Sequence, residues 1–88
     1  MQSRNFIIKN RLGLHARAAA QLVQTANKFS SEVTLFKEDI EVNGKSIMGI
    51  LLLAAPKGTE ITVQVDGADE VEGMQKISDL IEDGFGED

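Results

Sequence analysis

The apolar residues of this chain change their spacing several times, and these changes restrict the fold more than any other feature of the sequence. Alternation at every second residue is typical of a strand with one buried face. It is clearest at Ile61, Val63 and Val65, which are separated by polar residues. On this basis we predict strands over 5–9, 32–36, 41–42 and 61–65.

Between the strands, apolar residues recur at every third or fourth position, which predicts helices with one apolar stripe each. One helix is expected within Ala16–Phe29, where three consecutive alanines also favour helix. Another is expected within Asp69–Asp83, with acidic residues in its first turn and Gly84 as its stop. The predicted stripes are Ala19, Leu22, Val23, Ala26 and Phe29 in the first helix, and Val71, Met74, Ile77, Ser78 and Ile81 in the second.

The segment from Ser46 to Leu53 is compatible with two structures. It is apolar enough for a buried strand, but Ser46 can also cap a short helix that starts at Ile47. With the helix, the order of elements is βαββαβα. An α+β fold satisfies this order, with an antiparallel sheet and all helices on one face, because each helix has only one stripe to bury.

Length and composition restrict the class of protein. The 88 residues fit a single domain, 1–88, in which we expect 84–88 to be a loosely held tail. The absence of cysteine excludes disulfides and thiolate metal sites. The longest apolar run, 50–56, is too short to insert in a membrane, and the first five residues lack the apolar block of a signal peptide. These features favour a cytoplasmic protein.

The charge is unevenly distributed along the chain. Residues 1–59 carry eight basic and four acidic side chains, whereas residues 60–88 carry one basic and ten acidic side chains. A net charge of −5 without aromatic-rich basic stripes argues against nucleic-acid binding. The mildly basic N-terminal part can instead face an acidic protein partner.

The segment from Gly13 to Arg17 lies where the first predicted strand gives way to the first helix, and it contains the only histidine, His15. A helix start has unpaired N–H groups and the positive end of the helix dipole, so it is a natural site for an anion. Imidazole is partly neutral at cellular pH and can attack a phosphoryl group. Arg17 can supply fixed positive charge to that group.

Other uses of His15 stay open on the residues alone. A lone histidine near a helix start is often a cap or a bystander, and Arg17 can be a solvated surface charge. No metal and no cofactor are predicted, because His15 has neither a second histidine nor a ligand-spaced carboxylate pair beside it. A serine-histidine-aspartate triad would need a nucleophile elbow that the chain lacks. The residues therefore predict an anion or phosphate site at a helix start.

The run Gly13-Leu14-His15-Ala16-Arg17, followed by an alanine-rich helix, closely resembles the active-site signature of the histidine-containing phosphocarrier (HPr) family of the bacterial phosphotransferase system. A second block, from Asn43 to Gly49, resembles the regulatory-serine region of that family. The resemblance extends from about Phe6 to Ile81. It implies an open-faced β-sandwich, in which three helices cover one face of a four-stranded antiparallel sheet.

The resemblance also implies roles for single residues and for partner proteins. His15 would accept a phosphoryl group through Nδ1 from enzyme I and donate it to enzyme IIA-type domains, while Arg17 helps to hold the group. The protein would thus be a stoichiometric carrier rather than an enzyme. Ser46 would be the target of an HPr kinase/phosphorylase, although it can also be only a helix cap. The implied partner-binding residues are Ala16, Ala20, Ile47, Met48 and Leu51.

Two positions depart from the family pattern. Ala18 stands where members usually have proline, and alanine suits the first helical turn equally well. Leu12 stands where many sugar-system members have asparagine, so it points toward the nitrogen-related branch, whereas Lys45-Ser46 looks more like regulated members. A regulatory carrier of a nitrogen-type relay, and a non-covalent small-anion-binding domain, therefore stay open as alternatives. A monomer is expected.

Overall fold

The computed structural model describes residues 1–87 and contains the elements in the predicted order. They are β1 (Gln2–Ile7), α1 (Ala16–Ala26), β2 (Glu32–Lys37), β3 (Ile40–Asn43), α2 (Ile47–Leu53), β4 (Glu60–Asp66) and α3 (Glu70–Glu82). The strands form one sheet in the order β1-β4-β2-β3, and every neighbouring pair is antiparallel. The predicted α+β fold is confirmed. Within residues 1–87, none of the helices has the length and apolar character that a membrane crossing requires.

The core lies between one face of the sheet and the three helices. In β4 the apolar residues at alternate positions are fully buried, whereas Thr62 and Gln64 between them are partly exposed on the open face. The predicted stripe of α1 is buried as well. The helix itself ends at Ala26, and Phe29 is buried in the turn that follows it.

The predicted stripe of α3 is buried except at its first member. Val71 is 68% exposed, because the start of the helix approaches the sheet through Gly73 instead. A Cβ on Gly73 would lie only 3.3 Å from Val65 and 3.4 Å from Phe29. Val71 is two residues away, or roughly 200° around the helix, and so it points to solvent. The polar member of the stripe, Ser78, is buried and accepts a hydrogen bond of 2.8 Å from Arg4.

β1 begins and ends earlier than the strand predicted over 5–9. Its pairing with β4 runs from Gln2 to Ile7. Beyond Ile7 the chain bonds to the turn before β4 instead, through Ile8 N–H to the Thr59 carbonyl at 2.9 Å and Gly58 N–H to the Ile8 carbonyl at 2.8 Å. The strand boundary is therefore set by the length of its partner.

The segment after Ser46 is a helix. Ser46 is the N-cap of α2, and its Oγ accepts a hydrogen bond of 3.0 Å from Gly49 N–H. At the other end Lys37 Nζ donates to the carbonyls of Leu53, at 3.2 Å, and Ala54, at 3.0 Å. Both ends of this short helix are thus satisfied by side chains.

Residues 84–87 differ from the loosely held tail that is predicted for 84–88. Gly84–Gly86 form a single 3-10 turn, and Phe85 is only 2% exposed. Phe85 adopts a left-handed φ of 58°, so burial of its ring outweighs the backbone strain that this conformation costs. Glu87 is also partly buried. Asp88 lies outside the described residues.

Asp69, the residue before α3, joins that helix to the turn before β2. One carboxylate oxygen accepts from Ser30 N–H at 2.9 Å. The other accepts from Ser31 N–H at 3.0 Å and from the Ser31 hydroxyl. The Ser31 hydroxyl, followed by the Ser30 N–H, lowers the pKa of Asp69 from an ordinary 3.8 to about 2.

This lowered pKa predicts a pH-dependent stability. A carboxylate whose pKa is lower in the folded chain stabilises the fold above its ordinary pKa, and that stabilisation is lost as the pH falls toward the folded value. We expect Asp69→Asn to lower the free energy of unfolding at neutral pH. Between about pH 4 and pH 2, the free energy of unfolding of this variant should fall less than that of the parent. Urea unfolding across that range measures both effects. Glu72→Gln, at an exposed carboxylate of α3, is the control, and parallel profiles for parent and Asp69→Asn would contradict the prediction.

Candidate functional site

His15 lies immediately before α1, where the sequence predicts it. Its carbonyl accepts the hydrogen bond from Ala19 N–H at 2.8 Å, so it is the N-cap residue of the helix. Its side chain makes no capping hydrogen bond. The ring is 25% exposed. It lies at the helix start but does not accept a hydrogen bond from the free N–H groups there.

The loop before His15 is held tightly against the segment that follows α2. Gly13 has a left-handed φ of 67°, and a Cβ at this position would come within 2.6 Å of the Ala55 carbonyl oxygen. The next residue, Leu14, donates its N–H to that same oxygen at 3.0 Å. Only glycine permits both the backbone conformation and this close approach, so Gly13 fixes where His15 is presented.

Two shallow cavities adjoin this loop. One, of about 320 Å³, is lined by His15, Leu12, Leu14 and the segment 54–56. The other, of about 270 Å³, is lined by Arg11, Leu12, Arg17, Gly86 and Glu87. Arg17 is exposed, and it forms no ion pair with a carboxylate of residues 1–87. Its guanidinium is therefore available to an anion near His15.

Glu87 is part of the site, although sequence analysis places it in a loose tail. One of its carboxylate oxygens contacts His15 Nε2, and the other accepts a hydrogen bond of 2.9 Å from Asn10 Nδ2. The Asn10 hydrogen bond is the largest cause that lowers the pKa of Glu87; the His15 contact and the positive charge of Arg17 add to it, against the effect of burial. The Glu87 side chain is therefore ionised at neutral pH. No sequence pattern indicates this contact, since 72 positions separate the two residues.

The predicted partner-binding residues lie on two helices that pack against each other, α1 and α2. In α1, Ala16 is exposed and Ala20 is partly exposed. In α2 the predicted residues are all exposed, most of all Met48 at 72%. Leu52 is equally exposed but is absent from the prediction, although its position four residues after Met48 places it on the same side of the helix.

Ser46 has a structural role of its own at the start of α2. Its hydroxyl is partly buried and already accepts the capping hydrogen bond from Gly49. The ammonium group of the neighbouring Lys45 donates a hydrogen bond of 2.8 Å to the Phe29 carbonyl. The structure thus accounts for Ser46 as the N-cap of α2.

Comparison with known proteins identifies the family of this chain. Residues 2–83 match the family model described as "PTS HPr component phosphorylation site". The phosphocarrier protein HPr of Xylella fastidiosa is 54% identical over 88 residues, which cover 100% of this chain and 99% of that protein. The chain belongs to the HPr family. As an HPr it is a phosphocarrier of the phosphotransferase system, and the resemblance found in the sequence is confirmed.

Solved HPr structures share the architecture. HPr-C-His from Thermoanaerobacter tengcongensis is 46% identical and superposes with a TM-score of 0.96, covering 100% of this chain and 99% of that one. An HPr dimer from the same organism is 47% identical with a TM-score of 0.79, covering 99% of this chain and 100% of that one. The open-faced β-sandwich implied by the resemblance is therefore the fold of this HPr.

Proposed function

We propose that this HPr carries its phosphoryl group on His15, accepting it from enzyme I and donating it to enzyme IIA-type domains. The observation that supports this most is that His15 occupies the N-cap of α1 while its ring makes no capping bond. The first N–H groups of the helix have no acceptor within it, and they carry the positive end of the helix dipole. They can therefore bind the oxygens of a phosphoryl group at the ring.

The proposed chemistry needs little from this chain beyond position and charge. The lone pair of a neutral ring nitrogen attacks phosphorus while the bond between phosphorus and the donor breaks, and the negative charge lies on the three phosphoryl oxygens. Backbone N–H groups of α1 and the Arg17 guanidinium would stabilise that charge. We also propose that the protein is a monomeric, cytoplasmic carrier that is consumed and regenerated, with most of the catalysis supplied by its partners.

The test of the proposed function is incubation with enzyme I and labelled phosphoenolpyruvate. One phosphoryl group per chain should be incorporated, labile in acid and stable in base as a phosphoramidate is. A non-covalent anion-binding domain would incorporate none. A regulatory carrier of a nitrogen-type relay would be labelled in the same way, and purified enzyme IIA domains of each branch would then show which one accepts the group.

Arg17→Glu should slow phosphoryl transfer far more than it lowers stability. Arg17 is exposed and unpaired among residues 1–87, and exposed charges usually change the free energy of unfolding by no more than about 0.5 kcal/mol. Rates with enzyme I and urea unfolding measure the two quantities. Lys76→Glu makes the same charge change on the exposed side of α3 and should leave the rate near that of the parent. If Arg17→Glu destabilises the fold enough to account for the loss of transfer rate, Arg17 is structural.

We further propose that partners dock on the exposed apolar side chains of α1 and α2. Single exposed apolar residues are ordinary, but contiguous ones beside a reactive group indicate a binding surface. The proposed surface consists of Ala16, Ala20, Ile47, Met48 and Leu51, and we add Leu52 because of its exposure. Ser46 starts the helix that carries most of it, so a phosphate there would place negative charge at its edge.

Ser46→Asp should therefore fold normally but accept phosphate from enzyme I more slowly. Aspartate caps a helix as well as serine does, so α2 keeps its cap. The added charge should weaken association with an acidic partner, and salt should partly restore the rate because screening shortens the reach of the repulsion to about 8–10 Å. Ser46→Asn is the matched control, since asparagine is an equally good cap without charge. If Ser46→Asp transfers like Ser46→Asn at every salt concentration, Ser46 is only a cap.

A further inference from the structure

The contact between Glu87 and His15 places a carboxylate on one particular atom of the ring. A carboxylate at neutral pH only accepts hydrogen bonds, so the ring nitrogen that it contacts, Nε2, must carry a proton. In a neutral imidazole one nitrogen is a donor and the other is an acceptor. A proton held on Nε2 therefore leaves Nδ1 with its lone pair, and Nδ1 is the atom that attacks in the proposed function.

Glu87 is itself held in place by the fold. Asn10 is 1% exposed, and its Nδ2 donates both to Glu87 and, at 2.7 Å, to the Gly13 carbonyl. Phe85 anchors the same turn in the core. The Glu87 side chain is only 14% exposed. The carboxylate is thus tied to the loop that presents His15, rather than reaching it from solvent.

We propose that Glu87 is a positioning residue, which fixes the neutral tautomer and the orientation of the His15 ring so that unprotonated Nδ1 faces the phosphoryl donor. This rests on the proposed function, since it assigns Nδ1 of His15 as the acceptor. A hydrogen-bond partner on one ring nitrogen is a common way in which proteins set the role of the other. Here the partner comes from the opposite end of the chain.

The proton on Nε2 balances both directions of transfer. When Nδ1 attacks, its lone pair forms the new bond to phosphorus, the bond between phosphorus and the donor breaks, and the proton stays on Nε2. When the group is handed on, the bond between Nδ1 and phosphorus breaks and its electron pair returns to Nδ1. The leaving group is then neutral imidazole rather than an imidazolate anion, because Nε2 has kept its proton next to Glu87.

The test compares Glu87→Ala and Glu87→Gln with the parent by two readouts. Nitrogen-15 NMR of the ring at about pH 8.5, where an ordinary imidazole is neutral, gives the ratio of the Nε2–H to the Nδ1–H tautomer. Rates with enzyme I give kcat and KM for the carrier. We expect the tautomer ratio to fall at least roughly threefold in Glu87→Ala and less in Glu87→Gln, which keeps a weaker, uncharged acceptor. We expect kcat to fall roughly tenfold in Glu87→Ala with KM little changed.

Glu82→Gln is the matched control. It removes one charge near the end of α3 from an exposed pair with Lys9, and it should change neither readout. An unchanged tautomer ratio in Glu87→Ala would overturn the proposal, and so would faster transfer, which would mean that the carboxylate only repels the incoming group. Failure of the parent to be phosphorylated would refute the proposed function instead, and the NMR ratio would still decide whether Glu87 holds the Nε2 proton.

Discussion

Replacing His15 by alanine should abolish the incorporation of phosphate from phosphoenolpyruvate and enzyme I. His15 is the only histidine of the chain, so no other imidazole can form an acid-labile, base-stable phosphohistidine. The fold should survive, because the His15 side chain makes no capping bond and is not part of the core. The free energy of unfolding should change by no more than about 1 kcal/mol. Label incorporation and urea unfolding of the same samples measure both.

A second substitution separates loss of the proposed nucleophile from damage to the helix start. His15→Asn places a preferred N-cap residue at the same position, so α1 should be at least as stable as in the parent, yet asparagine cannot carry the phosphoryl group. Both variants should remain unlabelled. Label that persists in either one would show that another residue is the acceptor. Phosphoserine at Ser46 would be distinguished from this label, since phosphoserine is stable in acid.

The sequence predicts best those features of the structure that are determined by residues close together in the chain. The stripes of β4 and α1 are read correctly because the spacing of apolar residues within a few turns reports directly which side is buried. The segment after Ser46 is too short for its period to decide between strand and helix. In the structure it is a helix that is capped by the hydrogen bond from Gly49 N–H to Ser46 and that buries Ile50 and Leu53.

Errors occur where a distant part of the chain determines the outcome. Val71 fits the stripe of α3 but is exposed, because the close approach of Gly73 to Val65 and Phe29 sets how the helix lies on the sheet. The boundary of β1 depends on the length of β4. The local sequence determines neither the distance between a helix and the sheet nor the length of a partner strand.

In the candidate site, too, residues close together in the chain are predicted from the sequence and a distant one is not. His15 and Arg17 are predicted from the sequence because a helix start, a histidine and a cation lie within a few residues. Glu87 is missed because its contact with His15 is a polar contact across nearly the whole chain, and because a short segment with two glycines is typical of a loose end. The apolar ring of Phe85 is the one local sign that this segment is anchored.

Gly13→Ala should cause the largest loss of stability among the predicted effects, about 3 kcal/mol. A left-handed φ of 67° costs a non-glycine residue roughly 1–2 kcal/mol. The new Cβ would also lie 2.6 Å from the Ala55 carbonyl oxygen and 2.8 Å from Pro56 Cα. Both are backbone atoms, which cannot swing aside as a side chain can, and forced shifts of this kind cost roughly 1–3 kcal/mol. The hydrogen bond between Leu14 N–H and the Ala55 carbonyl should be lost as the two segments separate. Thermal unfolding should show a fall in Tm of more than about 10 °C.

Gly58→Ala separates the two causes. Gly58 also has a left-handed φ, of 91°, but a Cβ added there would have no atom within 4 Å of it. It should therefore show the conformational cost alone, about 1 kcal/mol, and leave His15 undisturbed. The difference between the two variants measures how closely the loop before His15 is pressed against the segment after α2. If Gly13→Ala is no less stable than Gly58→Ala, the loop is not held by this contact, and some other feature must fix the position of the histidine.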